Sequence, residues 1–521
     1  MPPPVYGDSL PAAHREALAR DPLVGQRMGF VNRTAASSPP PWRVDPVGRI
    51  LALLATIGAG VLLGLQYWAP NKRVIPVIAA TAIFGIAWRM SMSVAMSVMV
   101  FLLPYPKGTV FGSTNLALIL MLLVIWLLRL SLRMSEPARS SPLDLPILGL
   151  LLWYVLSFYN VQSEEALAGA LVNFELFAAC LIMYYLIINA IRTPRDLERL
   201  HNAQIITALG VFLIAAWEAR HAGQILIPGL LDFSSTGGHD FNTRDVRVGA
   251  SFRDYELLSE YCGIMLLLIV FQLVRARTQL RVLALSALTL FSLYTMFTTV
   301  TRGVIVSLAI ALPYMFYIIR RRLNPVKFMT AVTMILVLAF TMNFLVSKFT
   351  NSGDLFERLA TTKLVHGVVP EAREETWSNA WNRIFVHPIL GQGPFYAPIE
   401  GYMYFWPHNV YLYIANLVGF PGLGFYLSIL IGLALLMRPT VDDLRHESYA
   451  DAYLLIGQVQ LLLFALNEIK IDYLRNSVYQ FQVWQLFGTW TAAYLISKQY
   501  GVRAQLPQAA SPEPPPGRLA A

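Results

Sequence analysis

Residues 115–132 read NLALILMLLVIWLLRLSL, eighteen positions with a single charge, Arg129. A helix needs roughly 17–25 apolar residues to cross a bilayer, and this run meets that length. Similar runs recur along the chain. Of its 521 residues 56% are hydrophobic and 14% charged, against roughly 25% charged in soluble domains, and the mean hydropathy is +0.53. The expected fold is an all-α integral membrane protein with about 12–14 transmembrane helices and one large extracytoplasmic loop. A β-barrel is not the expected fold, because its strands would be short and alternate between apolar and polar residues.

About fourteen spans fit the pattern. The first seven centre near Ala59, Ala80, Ala95, Leu122, Leu152, Ala179 and Val211, the others near Leu266, Leu288, Ala311, Leu336, Tyr426, Leu462 and Trp490. Between Val74 and Leu103, Arg89 and the Met/Ser-rich run after it favour a break into two helices. The expected organisation is a disordered cytoplasmic tail over residues 1–46, spans over 47–346 with a shorter outer loop near 220–255, a large periplasmic loop over 347–409, spans over 410–497, and a disordered cytoplasmic tail over 498–521. The N-terminus has no apolar leader core, so the first span, near Val47 to Trp68, serves as its own insertion signal.

The net charge of +9 does not point to nucleic acid. The positive charges fall mainly in short loops between spans, which is the pattern that orients a membrane protein. Arg129, Arg133 and Arg139 share one loop, Arg275, Arg277 and Arg281 a second, and Arg320, Arg321, Arg322 and Lys327 a third. An even number of spans puts these loops on the cytoplasmic side with the basic N-terminal tail. The turn at Arg302 and residues 220–255 and 347–409 then face outward; the turn with Lys72 and Arg73 violates the rule. The two cysteines, Cys180 and Cys262, lie in apolar runs and form no disulfide framework. Walker A, GxGxxG, CxxC and HExxH patterns are absent.

The polar chemistry concentrates between Pro370 and Gly424. Trp377, Ala380, Trp381, Ile384 and Phe385 recur at helical spacing and predict one apolar face. Pro370 and Glu371, Glu374 and Glu375 suit the start of that helix, and His387-Pro388 its end. Such a helix lies at the membrane surface with its tryptophans at headgroup level. Arg373 precedes Trp377 by four residues; its bland reading is an exposed ion pair with the nearby glutamates. Gly391 and Gly393 allow a tight turn or a close approach to a ligand, an ordinary loop turn being the plainer reading. His408, in Pro407-His408-Asn409, titrates near neutrality and suits a general base, a phosphate partner or a structural hydrogen bonder. Asn409 suits a cap on the span that follows.

Thr301-Arg302-Gly303 interrupts an apolar run on the side where the orientation rule disfavours a cation, which favours function over a snorkelling side chain. Residues 220–255 carry Arg244, Arg247 and Arg253 among Asp240, Asp245 and Asp254. An arginine fork matches phosphate oxygens, so Arg247, Arg253, Arg302 and Arg373 together suit a pyrophosphate. Glu175, Glu218, Glu468, Lys470 and Asp472 lie within or beside spans; pairing of Lys470 and Arg475 with Glu468 and Asp472 is the expected arrangement there.

These motifs resemble the O-antigen ligase and O-antigen polymerase superfamily of bacterial envelope glycan assembly. Its pattern of Arg, Trp, Pro-x-x-Gly-x-Gly, Pro-His-Asn and Gly-x-x-Gly is matched by Arg373, Trp377, Pro388, Gly391, Gly393, Pro407, His408, Asn409, Gly419 and Gly422. Thr301-Arg302-Gly303 stands where the family has a Ser-Arg-Gly turn. The segment GASFRDYELLSEY departs from the family's asparagine-containing stretch before the middle spans, although Arg247 and Phe252 fit.

The resemblance implies a glycosyltransferase of GT-C-like architecture in the bacterial inner membrane, with its active site on the periplasmic side. The donor would be a glycan on undecaprenyl pyrophosphate and the acceptor a sugar hydroxyl, on another glycan for an exopolysaccharide or O-antigen polymerase or on lipid A core for a ligase. It implies catalytic roles for His408, Arg302 and Arg373, and substrate contacts for Arg247, Arg253, Trp377, Gly391, Gly393 and Asn409. His408 would be the base. No cofactor, metal or nucleic acid is expected, and membrane lipids are. The alternative class is a secondary transporter or lipid-linked glycan flippase, which would show two similar halves and polar residues near the midplane; neither is visible. A non-catalytic scaffold would not need arginines on several outer loops.

Overall fold

The computed structural model describes residues 74–105, 108–109, 112–221, 247–319, 337–348, 355–361, 364–365, 369–396, 406–438 and 448–505. The expected first span near Val47 to Trp68, both tails as far as residue 73 and from residue 506, and Arg244, Asp240, Asp245, Arg320, Arg321, Arg322 and Lys327 lie outside the described residues.

The chain is helical. The helices are α1 (Val74–Arg89), α2 (Met92–Leu102), α3 (Thr114–Ser131), α4 (Asp144–Ser157), α5 (Glu164–Ala190), α6 (Pro194–Arg220), α7 (Tyr255–Arg275), α8 (Gln279–Thr298), α9 (Arg302–Ile319), α10 (Val337–Lys348), α11 (Leu355–Ala360), α12 (Glu371–Ile384), α13 (Val410–Leu436), α14 (Tyr449–Asn467) and α15 (Ser477–Gln505). Among the described residues the strands are confined to two minimal antiparallel pairs, Gly108–Thr109 with Gly112–Ser113 and Leu364–Val365 with Val369–Pro370. Among the described residues seven helices are long and apolar enough to cross a membrane: α3, α5, α6, α7, α8, α13 and α14. Shorter apolar helices are α2, α4 with the 3-10 turn after it, α9 and α10. This is a multi-pass membrane protein.

Local sequence sets the helix ends. Ser91 caps α2 through a hydrogen bond from the Val94 N–H, so the expected break after Arg89 is present. Thr193 caps α6, where Pro194 opens the helix and Asp196 stands in the first turn. The end of α15 differs from the expected boundary at Lys498: the helix runs on to Gln505, because no proline interrupts it before Pro507.

Met1–Arg89 and Met90–Ala521 form separate compact units. Within the second, α4, α5 and α15 share an aromatic core, with Tyr154 and Phe177 stacked at 4.2 Å and Trp484 edge-on to Phe177 at 5.7 Å. Of those seven helices α7 is the most enclosed, with 78% of its apolar stretch buried inside the protein. The ends of the bundle differ. At one, Arg139 donates to Gln499 (2.8 Å), Arg192 pairs with Glu136 (2.5 Å) and Arg281 donates to Gln272 (2.9 Å). At the other, the N-termini of α7, α9, α13 and α15 meet the C-terminus of α14.

α13 is broken at Gly419, whose φ of 70° and ψ of −178° no helix contains, and Pro421 brings no N–H of its own. The freed backbone groups bond to the turn after α12. The Phe420 N–H donates to the Pro388 carbonyl (2.8 Å), and the Asn416 and Leu417 carbonyls accept from the N–H groups of Gln392 (2.9 Å) and Gly393 (3.1 Å). A broken span is tolerated where protein re-satisfies its backbone in this way.

Candidate active site

Asp254 caps α7, its Oδ1 accepting from the N–H groups of Glu256 (2.9 Å) and Leu257 (3.1 Å). Glu256 stands in the first turn, where the helix dipole favours an anion. Both carboxylates are held by cations from distant parts of the chain. Arg373, from α12, donates to Glu256 Oε1 at 2.8 Å. Arg475, from the 3-10 turn Tyr473–Arg475, donates through Nη2 to Glu256 Oε2 (2.8 Å) and to Asp254 (2.7 Å to Oδ2). Its Nη1 lies 2.7 Å from His408 Nδ1. Arg373 also donates to the carbonyls of His408 (3.3 Å) and Lys470.

More positive charge surrounds this core. Arg302, at the first position of α9, lies within electrostatic reach of Arg247, Arg373 and Glu256. Arg247 places its guanidinium 4.6 Å from the centre of the Tyr255 ring. Burial, and then Arg373 and Arg302, lower the pKa of the Lys470 ammonium. The cluster joins the cations Arg247, Arg302, Arg373, Lys470 and Arg475 to the carboxylates of Asp254 and Glu256 and, through Arg475, to that of Asp472. His408 adds no charge at neutral pH. Burial pushes it down to about 4, with Glu256 opposing and Arg475 and Arg373 reinforcing the shift. Arg302 is repelled by Arg247 and Arg373, and Lys470 by Arg373 and Arg302, and a bound polyanion relieves such repulsion.

The backbone here is under constraint. Ala250 (φ 47°), Arg253 (φ 51°), Val300 (φ 51°) and His408 (φ 45°) are left-handed without being glycine. Each costs on the order of 1–3 kcal/mol, and such strain concentrates at functional sites.

The structure thus brings together Arg247, Arg302, Arg373 and His408. Arg253 goes elsewhere: it acts on Glu218 at the end of α6, whose carboxylate accepts from the Ala250 N–H at 2.7 Å. The Trp377 indole donates to the Pro407 carbonyl (2.8 Å) and so steadies the His408 loop. Asn409 caps α13, its Oδ1 bonded to the N–H groups of Tyr411 (3.0 Å) and Leu412 (3.1 Å). Gly391 and Gly393 make their close approach to the protein itself. A side chain on Gly391 would strike the Leu417 carbonyl, and one on Gly393 would strike Val161.

Sequence reasoning passed over Glu256 and misplaced Arg475. The expected pairing of Lys470 and Arg475 with Glu468 and Asp472 gives way to pairing of Arg475 with Asp254 and Glu256, because the 3-10 turn aims it at the α7 N-terminus. Glu468 and Asp472 are fully buried instead. The available signal was two acids at a predicted helix start directly after Arg253, in the segment that departs from the family pattern.

Comparison with curated proteins finds no match. Residues 286–427 match a family model described as O-antigen ligase. That stretch holds Arg302, Arg373, Trp377, Gly391, Gly393, His408 and Asn409; Arg247, Asp254, Glu256, Lys470 and Arg475 lie beyond it.

Proposed function

We propose, from the match of residues 286–427 to a family model described as O-antigen ligase, that this protein moves a glycan from undecaprenyl pyrophosphate to a sugar hydroxyl at the outer face of the bacterial inner membrane. The observation that carries the reading is the convergence of Arg247, Arg302, Arg373 and Lys470 beside Glu256, from four separate segments of the chain. A diphosphate leaving group carries the complementary charge, and guanidinium groups hold its oxygens in pairs.

The acceptor oxygen bonds to the anomeric carbon, the bond from that carbon to the diphosphate oxygen breaks with its electron pair leaving on the diphosphate, and the hydroxyl proton passes to water. Charge grows on the departing diphosphate, where preorganised cations stabilise the transition state without a metal. Arg302, Arg247 and Lys470 face that charge. Arg373 and Arg475 are held by Glu256 and Asp254 and frame the site beside His408. The outward placement is supported by the arginines at the opposite end of the bundle, Arg139, Arg192 and Arg281, which suit the cytoplasmic side. The seven long helices, with the shorter apolar ones, α1 and α15, support the expected count of about 12–14 spans and a GT-C-like architecture.

The test uses full-length protein in nanodiscs with a synthetic glycan on a polyprenyl diphosphate and a free oligosaccharide acceptor. Wild type should elongate the acceptor and release the polyprenyl diphosphate. Arg302→Ala should lose about 10²–10³ in rate, the range for one charge-stabilising donor. Full activity in a folded Arg302→Ala protein, or no transfer by wild type with any diphosphate-linked donor, would overturn the reading. In cells, deletion should leave single repeat units if the enzyme is a polymerase, and long chains stranded on the carrier if it is a ligase.

A further inference from the structure

We infer that Arg475 is a positioning residue that fixes His408 as its Nε2–H tautomer, so that the imidazole meets the substrate as a hydrogen-bond donor and not as the base. The inference rests on the proposed glycan transfer only for what the ring meets; the tautomer follows from geometry. Arg475 Nη1 lies 2.7 Å from His408 Nδ1. A guanidinium has N–H donors and no acceptor, so this contact is a hydrogen bond only if Nδ1 offers its lone pair. A neutral imidazole whose Nδ1 is bare carries its one proton on Nε2.

Arg475 is held firmly enough to impose this. Its Nη2 is shared between Asp254 and Glu256, its side chain is 16% exposed, and Asp472 caps the 3-10 turn that carries it. The histidine is fixed from the other side as well. Its carbonyl accepts from Arg373, the preceding carbonyl accepts from Trp377, and its φ of 45° sets the direction of the side chain. The ring remains 40% exposed, so an edge stays open to a substrate.

Protonation at Nδ1 would set an N–H against the Arg475 N–H. The charged groups facing the ring are Arg475 from the 3-10 turn, Arg373 from α12 and Glu256 from α7, whose Oε2 is 3.8 Å from Nδ1. Two cations against one carboxylate keep the imidazole uncharged. Its lone pair is spent inward and its N–H points away from Arg475, which suits a substrate oxygen.

Glutamine separates the two roles. His408→Gln sets an amide N–H2 near the place of Nε2–H and supplies no base. A neutral hydrogen bond re-made by another donor should keep transfer within about tenfold of wild type, whereas loss of a general base costs about 10²–10⁴. His408→Ala should fall well below His408→Gln. In ¹⁵N-histidine-labelled protein without substrate, the resonances assigned by subtracting the His408→Gln spectrum should show a bare Nδ1 and a protonated Nε2. Arg475→Lys should keep that tautomer, and Arg475→Ala should mix the two and move the acid limb of the pH–rate profile up towards the ordinary histidine range. The inference is overturned by a protonated Nδ1, or by a His408→Gln protein that binds inorganic pyrophosphate as wild type does yet transfers no better than His408→Ala. Wild type that neither binds pyrophosphate nor transfers would sink the proposed function and leave the tautomer to the spectrum.

Discussion

Glu256 is the residue on which the cluster turns. It is 13% exposed and takes hydrogen bonds from two arginines that reach it across 117 and 219 residues of chain. Removing the charge of one partner in a buried pair costs about 3–5 kcal/mol. Glu256→Gln should therefore lower the thermal midpoint clearly, and inorganic pyrophosphate should restore more of it than in wild type, because it replaces the lost anion. A variant as stable as wild type and indifferent to pyrophosphate would contradict this account. Two other groups give opposite pH signatures. His408 stays neutral in the fold down to about 4, while the unfolded histidine takes up its proton near 6.5, so it costs stability as pH falls through that window. Burial raises the Asp472 carboxyl from 3.8 to about 7, so unfolding releases its proton and it costs stability as pH rises from about 4 to about 7. Asp472→Asn keeps an acceptor for the Leu474 N–H (3.0 Å) and removes only the second effect. Its stability relative to wild type should climb between pH 4 and 7 and level off above; a gap independent of pH would show that the carboxyl is ionised in the fold. Arg302 and His408 stood out in the sequence because each is a polar residue beside an apolar run, and Arg373 through its spacing before Trp377. Glu256 and Arg475 were not, since a pairing across some two hundred residues leaves no spacing to read.

At the scale of elements, α12 and α13 are coupled through the turn between Pro388 and Pro394. The periodicity of Trp377, Ala380, Trp381, Ile384 and Phe385 located α12 correctly, yet its apolar face divides in two. Ala380 and Ile384 are buried, whereas Trp381 and Phe385 are 49% and 56% exposed and gather around Phe420. Arg383 is buried on the same helix, 4.2 Å from the centre of the Tyr396 ring and bonded to Gln392 at 2.9 Å. A lone arginine in an amphipathic helix gives no sign that it turns inward, so sequence could not find it. Gly391 and Gly419 lock this junction from its two sides: each has a left-handed φ, and each lies against the other segment's backbone. Alanine at either should cost at least about 1–3 kcal/mol from the backbone conformation alone, read as a lower thermal midpoint and faster amide exchange in both α12 and α13. Loss confined to one of the two helices would mean that they are not coupled.

For the whole molecule, helix existence and order were legible because hydrophobic runs set them, while the convergence at one end of the bundle was not. It depends on which helix ends share a side, which only the alternation of spans and the loop charges hinted at. Cys180 and Cys262 are both free and buried, so single introduced cysteines can be read without background. A cysteine at Glu374 or Glu375, both exposed, should react with an impermeant maleimide added outside spheroplasts, and one at Arg139 or Arg277 only after permeabilisation. The reverse pattern would put the arginine cluster in the cytoplasm and end the proposed reaction.

The break in α13 also bears on engineering. Because the turn from Pro388 to Gly393 completes the hydrogen bonding of a membrane helix, α12 with its turn and that helix are one cassette. A chimera that exchanges either must carry both across together; a junction placed between them would strand amide groups inside lipid.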